Sequence, residues 1–466
     1  MLANQAVIKT ASSGRASRLQ LALCALAYIA LLLYSYAYII DPAYSYRGLR
    51  FNPPSVYILA VAIVFALLPI LWIPLNTQRA SIIVHYVLYL LLYVPVCIVP
   101  ACSLDISQIQ LLGYLVVIAT CFGIVNYPLY CRLLSIPRVK VHPWVFWAAL
   151  LGWSALAHVF IVASFGLQFH MPSLVEEVYE VRAAYKSSLE ASNPLLVYVI
   201  LWQCKIITPL ILLMSLNRRD PLMFAGGVAS QLLIFSISGV KTVFFSTLFL
   251  CGLYLLLSVA PRRLLQMMVL GLAGVILTSV AVDSCVAGEA PFLSSMFVRR
   301  LILGQGLLSG YYFEFFSESP KYMLSHSILG SILDCPYSSS PPQLICEVYF
   351  GSYDGRSNGS FLSDGFANFG FAGMIASSIL LSSALWLFDS AALSVERRMA
   401  SLLLAMPAIA LVNSALLTVF LSHGFWLAII LVYSLGYFAD NSASRNPVSR
   451  ARNPCKRAGG PGLVAT

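Results

Sequence analysis

Arg299 and Arg300 stand side by side in the stretch SMFVRRLILGQGLLSGYYFEFFSESP, which ends at Pro320, and Glu314 is the first acid after them. Two guanidiniums can grip phosphate oxygens through paired N–H groups and do not lose their charge. A carboxylate within reach of a hydroxyl can take its proton. Asp364, in FLSDGFANFG, is a second such carboxylate, and Lys205 and Lys241 are isolated cations in apolar surroundings. If helical turns persist through Gly304 and Gly306, the step from Arg300 to Glu314 is nearly four turns and both face the same way. Glu314 is then open to two roles, a base or a structural partner of Arg300. The neighbouring Phe297, Leu301, Leu303, Leu307, Leu308, Tyr311 and Tyr312 suit an amphipathic helix lying in the headgroup layer, its arginines touching lipid phosphates.

The elements that must position these residues are membrane-spanning. The chain has 466 residues, 60% hydrophobic and only 10% charged, where a soluble domain is about a quarter charged. Apolar runs of spanning length, about 20 residues, recur near 19–40, 56–75, 81–100, 109–130, 144–166, 194–216, 221–239, 242–260, 263–284, 366–388, 399–418 and 420–438. The expectation is an all-α polytopic protein with about twelve transmembrane helices. The first run is long enough to span and lacks a small-residue cleavage site, so no cleavable signal peptide is expected. Residues 1–18 read as a cytoplasmic N-terminal segment, 19–440 as the transmembrane domain, and 441–466 as a disordered basic tail.

Charge sets the orientation. With the N-terminus in the cytoplasm, eighteen of the 28 basic residues fall in inner segments and nine in outer ones, while only Asp220, Asp389, Glu396 and Asp440 of the 18 acids are inner. That is the cytoplasmic Lys/Arg bias of membrane proteins. The net charge of +10 is therefore a topology signal, and nucleic acid is not an expected partner. Two outer connections are long, about 167–193 and about 285–365, and the second holds the Arg-Arg stretch.

Lys205, in LWQCKIITPL, sits near the middle of its run. A lysine at mid-bilayer costs roughly 2.5–3.5 kcal/mol to insert, so it faces a cavity or a partner helix. Lys241, in FSISGVKTVFF, lies at the outer mouth of a hairpin, as an interfacial anchor or a ligand-binding cation. Gln203, Gln231 and Asn413 read as interhelical hydrogen-bonding residues. There is no P-loop, dinucleotide fingerprint or G-x-S-x-G elbow. The histidines (His85, His142, His158, His170, His326, His423) show no metal-ligand spacing, so neither cofactor nor metal is expected. Most of the 11 cysteines lie inside the runs. Cys335 and Cys346 flank PYSSSPPQLI and can pair in an oxidising compartment.

Three segments together resemble the Wzy-type O-antigen polymerases, or oligosaccharide repeat-unit polymerases: LLIFSISGVKTVFFSTLFL, FVRRLILGQGLLSGYYFEFFSESP and SNGSFLSDGFANFGFAGMI. The family shows a polar-Gly-Lys hairpin, an Arg-Arg segment followed by aromatics and an acid, and an Asn-Phe-Gly-x-x-Gly lead into a late helix. The layout of twelve runs with two large loops also matches, so the likeness covers most of the chain. One departure lies in the first large loop, where the family's basic cluster is reduced to Arg182 and Lys186.

The resemblance implies a metal-independent, GT-C-like membrane glycosyltransferase of lipopolysaccharide biosynthesis, at the periplasmic face of the bacterial inner membrane, with both termini cytoplasmic. It would transfer a growing glycan from undecaprenyl diphosphate onto a lipid-linked repeat unit. Its partners would be those donor and acceptor lipids, membrane lipids and a chain-length regulator. Arg299 and Arg300 would neutralise the departing diphosphate, with Glu314, then Asp364, as the base. Arg182, Lys205, Lys241, Tyr311, Tyr312 and Asn368 would bind substrate, with Tyr311, Tyr312 and Phe313 stacking on sugar rings. Two other readings share the architecture. An O-antigen ligase would use a lipid A-core acceptor, with His326 as base; a flippase or secondary transporter also fits twelve spans, although no repeat between halves is visible.

Overall fold

The computed structural model describes residues 2–75, 77–137, 139, 141–167, 171–172, 177–190, 194–286, 290–327, 332–353 and 355–445. Every regular element among them is helical. Ten helices are long and apolar enough to cross a bilayer: Ala16–Arg47, Ile82–Ser103, Gln108–Tyr130, Pro143–Phe165, Leu195–Arg218, Pro221–Ser238, Lys241–Val259, Pro261–Cys285, Phe361–Ala391 and Leu416–Gly436. The chain is a multi-pass membrane protein, and helices are the form in which its backbone can satisfy itself inside hydrocarbon. The expected count of twelve is reduced at two places. The run at 56–75 forms a shorter helix, Val56–Leu71. The run at 399–418 is broken into Arg397–Leu403, Ala405–Val412 and the start of Leu416–Leu421, with Asn413 out of helical conformation (φ −136°, ψ 24°).

The Ile82–Ser103 helix is the centre of the bundle. Apart from His85 it is apolar all round from Ile82 to Pro100, and it is buried over that stretch, as a helix without a solvent face must be. Against it packs Gly304–Glu318, and here an expectation fails. This segment is a buried helix, not an amphipathic one in the headgroup layer. Leu307, Tyr312, Phe313 and Phe316 are all buried. The glycines explain it: a Cβ on Gly306 would come within 2.4 Å of the Pro95 carbonyl, and one on Gly310 within 2.6 Å of Leu104 Cδ1. Gly306-x-x-x-Gly310 is a small-residue stripe that lets two helix backbones approach.

Helix Phe361–Ala391 is bent at Phe369 and Gly370, the latter at φ 62°, ψ −144°. Only glycine adopts that conformation readily, so the short arm carrying Asp364 turns away from the spanning part. Expected interhelical bonds are present: Gln203 donates to Ser154, besides Thr208 on its own helix, and Gln231 donates to the Cys204 carbonyl. The last helix, Phe425–Arg445, continues past residue 441, where the tail was expected to be disordered; residues 446–466 lie outside the described residues. Cys335 and Cys346 are both free thiols, the first exposed and the second buried on Pro341–Phe350, so the expected disulfide is absent.

Side chains that the charge pattern assigns to one side meet at one end of the bundle. Asn217, Ser258, Glu396 and Arg398 form one hydrogen-bonded group. Tyr44, Tyr179, Lys241 and Arg299, from segments assigned to the opposite side, form the other assembly described next.

Candidate functional site

Four stretches remote in sequence deliver cations and aromatic rings to one place. The central piece is Ser294–Leu303, a π-helical stretch that continues into Gly304–Glu318; π turns of this kind recur at functional sites. Its start is fixed by Asp283, whose carboxylate accepts from Leu293 N at 3.1 Å and Ser294 N at 2.6 Å. Arg299 donates through Nε and Nη2 to Ser295 Oγ, at 3.0 and 2.7 Å. Its guanidinium carbon lies 4.4 Å from the Tyr44 ring centroid. Burial, then the charge of Arg300, holds the Arg299 pKa below its ordinary range; Arg47 adds to that repulsion. Arg300 is exposed and lies 5.5 Å from the Tyr179 ring. Lys241 Nζ lies 5.0 Å from the same ring. Tyr179 belongs to Glu177–Glu190, and Arg182 follows one turn later, its backbone against Gly239. The arrangement concentrates positive charge, braced by ring faces, where a multiply charged anion can be held.

A second centre lies at the other end of the same helix. Met323 and Leu324 have positive φ, 49° and 66°, a conformation that persists only where surroundings impose it. Asn368 imposes it: its Oδ1 accepts from Leu324 N at 2.9 Å and its Nδ2 donates to the Asp364 carbonyl at 2.9 Å. The turn sets His326 Nε2 at 4.0 Å from Asp364 Oδ1, both side chains about one-fifth to one-quarter exposed. Burial lowers the His326 pKa from 6.5, so the ring is neutral near pH 7 and the contact is not an ion pair. A substrate hydroxyl at the usual ~2.8 Å from both atoms fits between them as a bent bridge. Lys321, whose pKa burial also lowers, stands 5.1 Å from the Phe366 ring beside this corner. Ser309 on the Gly304–Glu318 helix touches Ser363 at 3.0 Å. Counting from Arg300 to Ser309 and Tyr312, the two centres are roughly 14–18 Å apart along the helix.

No protein-family model, curated protein or solved structure matches the chain.

The structure brings Lys241, Arg299 and Arg300 together, leaves Arg182 exposed with its backbone against Gly239, and corrects other expectations. Glu314 faces Tyr349, whose hydroxyl donates to it at 2.8 Å; among the described residues it makes no ion pair with Arg300, because fourteen residues of helix set the two about 20 Å apart along its axis. Tyr311 stacks on Tyr349 at 3.9 Å and donates to the Gly48 carbonyl. Tyr312 is 1% exposed and donates to the Ser357 carbonyl, and Phe313 stacks on Tyr114 at 4.4 Å. Their faces are spent on protein, so none of the three is free to stack on a sugar. Asn368, 2% exposed, is a latch for the turn rather than a substrate ligand. Lys205 bonds His423 Nδ1 at 3.0 Å, and His423 Nε2 is 3.2 Å from Ser414 Oγ; its contacts lie with the broken 413–424 segment, not with the other cations. Among the described residues no group of three or more His, Cys, Asp or Glu side chains is placed to hold a metal ion. Sequence reasoning missed Tyr44, Tyr179 and Ser295 as braces. No local pattern marks them, since each acts on a cation fixed elsewhere or one turn away.

Proposed function

We propose that the protein is an oligosaccharide repeat-unit polymerase acting on glycans linked to undecaprenyl diphosphate at the periplasmic face of the bacterial inner membrane. The observation that supports this most is the convergence of Arg299, Arg300 and Lys241 on Tyr44 and Tyr179. Guanidiniums so braced suit the several oxygens of a diphosphate.

The separation of the two centres assigns their roles. In the donor the reacting carbon is bonded to the diphosphate that leaves, so a base a helix length away cannot serve a donor seated at the arginines. In the acceptor the reacting hydroxyl is at the far end of the repeat unit from its diphosphate. The arginine cluster therefore anchors the acceptor's diphosphate, and Asp364, with neutral His326 beside it, takes the proton from the acceptor's terminal hydroxyl. The C–O bond from donor sugar to diphosphate breaks as the new glycosidic bond forms, and Lys321, beside the corner, is the cation offered to the departing group. Gel analysis of lipopolysaccharide from a deletion strain tests the activity. A ladder collapsing to core plus one repeat is expected; an unaltered ladder refutes it. The orientation is tested by cysteine labelling, expected from outside only at position 186 and from the cytoplasm only at position 262.

The His326–Asp364 pair also favours a second reading, an O-antigen ligase with a lipid A-core acceptor. That reading requires the deletion strain to attach no repeat to core at all.

A further inference from the structure

Any cation cluster in the headgroup layer faces a dense field of phospholipid phosphates, each Lys or Arg being attracted by roughly 1 kcal/mol. A site meant for a rare diphosphate lipid must refuse that common ligand. Tyr179 sits where this refusal can be made. Its ring lies 5.0 Å from Lys241 Nζ and 5.5 Å from the Arg300 guanidinium carbon, which brings its hydroxyl within reach of both side chains. The position is built in. Val178, next to it, is buried, and its carbonyl would be 2.7 Å from a Cβ on Gly239, which has φ 61°. Only glycine at 239 lets the Glu177–Glu190 helix settle this closely over the end of Pro221–Ser238.

We infer that Tyr179 is the specificity-determining residue of the cation cluster: its phenol oxygen occupies the seat between Arg300 and Lys241, so that a phosphodiester headgroup fails to enter and a diphosphate displaces it. This rests on the reading of the cluster as a diphosphate anchor. Burial alone would raise the phenol's pKa, yet Arg300 and Lys241 outweigh it and draw it below the ordinary value, as an oxygen standing in for an anionic ligand should behave. A phosphodiester brings one charge and two free oxygens, about what the phenol already supplies. A diphosphate brings more of both, and charge-assisted bonds are about twice as strong as neutral ones.

The test uses full-length protein in detergent, titrated with geranyl diphosphate and with dihexanoylphosphatidylglycerol. In the wild type the diphosphate should bind more tightly. Tyr179→Phe keeps the ring and removes only the competing oxygen. It should raise phosphatidylglycerol affinity and lower the selectivity for diphosphate by roughly 3–10-fold, the range of one net hydrogen bond. Selectivity unchanged or increased in Tyr179→Phe overturns the inference while leaving the anchor intact. The anchor itself is read from Arg300→Gln: undiminished diphosphate binding there refutes the anchor and the inference together.

Discussion

The arginine cluster and the His326–Asp364 corner are built in opposite ways. The cluster is assembled from segments around Tyr44, Tyr179, Lys241 and Arg299, with Arg299 braced by Tyr44 and with Arg300 and Lys241 sharing Tyr179. The corner is local: one asparagine latches one strained turn and sets one 4.0 Å contact. A distributed binding surface should lose function in steps, because removing one cation leaves the others in place. A latched corner should fail abruptly, because its geometry has a single determinant.

The largest effect is expected at the corner. Asp364→Asn should lower kcat by about 10²–10⁴, the range of a lost general base, with the acceptor KM little changed. Near-normal kcat would remove Asp364 from the chemistry. Next comes the cluster, where Arg299→Ala or Arg300→Ala should each raise the acceptor KM by about 10–100-fold, the range of a charged hydrogen bond. A fall in kcat at unchanged KM would instead return these arginines to the departing diphosphate. Lysine replacements should restore binding only in part, since a point charge lacks the fork.

Asn368→Ala should cost roughly 1–3 kcal/mol by leaving the Leu324 amide unsatisfied, seen as a lower Tm together with a lower kcat. A drop in Tm with full kcat would break the link between latch and catalysis. His326 should make the stability of the protein depend on acid. Burial holds its pKa below 6.5, so the folded state resists the proton that the unfolded state accepts. Its contribution to stability is full above about pH 6.5 and declines as pH falls below that value. Tm should fall as pH drops below about 6.5, and His326→Asn should flatten that part of the Tm–pH profile; an equal fall in the variant contradicts the assignment. The smallest effect is expected from Lys205→Gln, which changes a cation bonded to His423 rather than to the cluster. Acceptor KM should move less than twofold, and a tenfold rise would restore Lys205 to the site.

The contrast also explains what could be read from the sequence. Spans were legible because a hydrocarbon environment imposes length and composition on each run separately. The run at 399–418 misled because Pro407 and Asn413 interrupt it without lowering its apolar content. The charge pattern correctly grouped Lys241, Arg299 and Arg300 on one side, since topology is a one-dimensional property. What they rest on is three-dimensional, and Tyr44 and Tyr179 carry no mark of it. Gly306-x-x-x-Gly310 did carry a signal, the small-residue spacing of close helix contacts. It was legible as packing, yet continuity was weighed only at Gly304 and Gly306, and the apolar pattern put Tyr311, Tyr312 and Phe313 on a surface they do not reach.

The central claim is that the cluster holds a lipid diphosphate, and equilibrium binding tests it most directly. Geranyl diphosphate should be titrated into full-length wild-type protein and into the Arg299→Ala/Arg300→Ala double variant, with Tm measured for both. Binding weaker by at least tenfold in the double variant, at matching Tm, is the expected result; affinities within twofold of each other would contradict it.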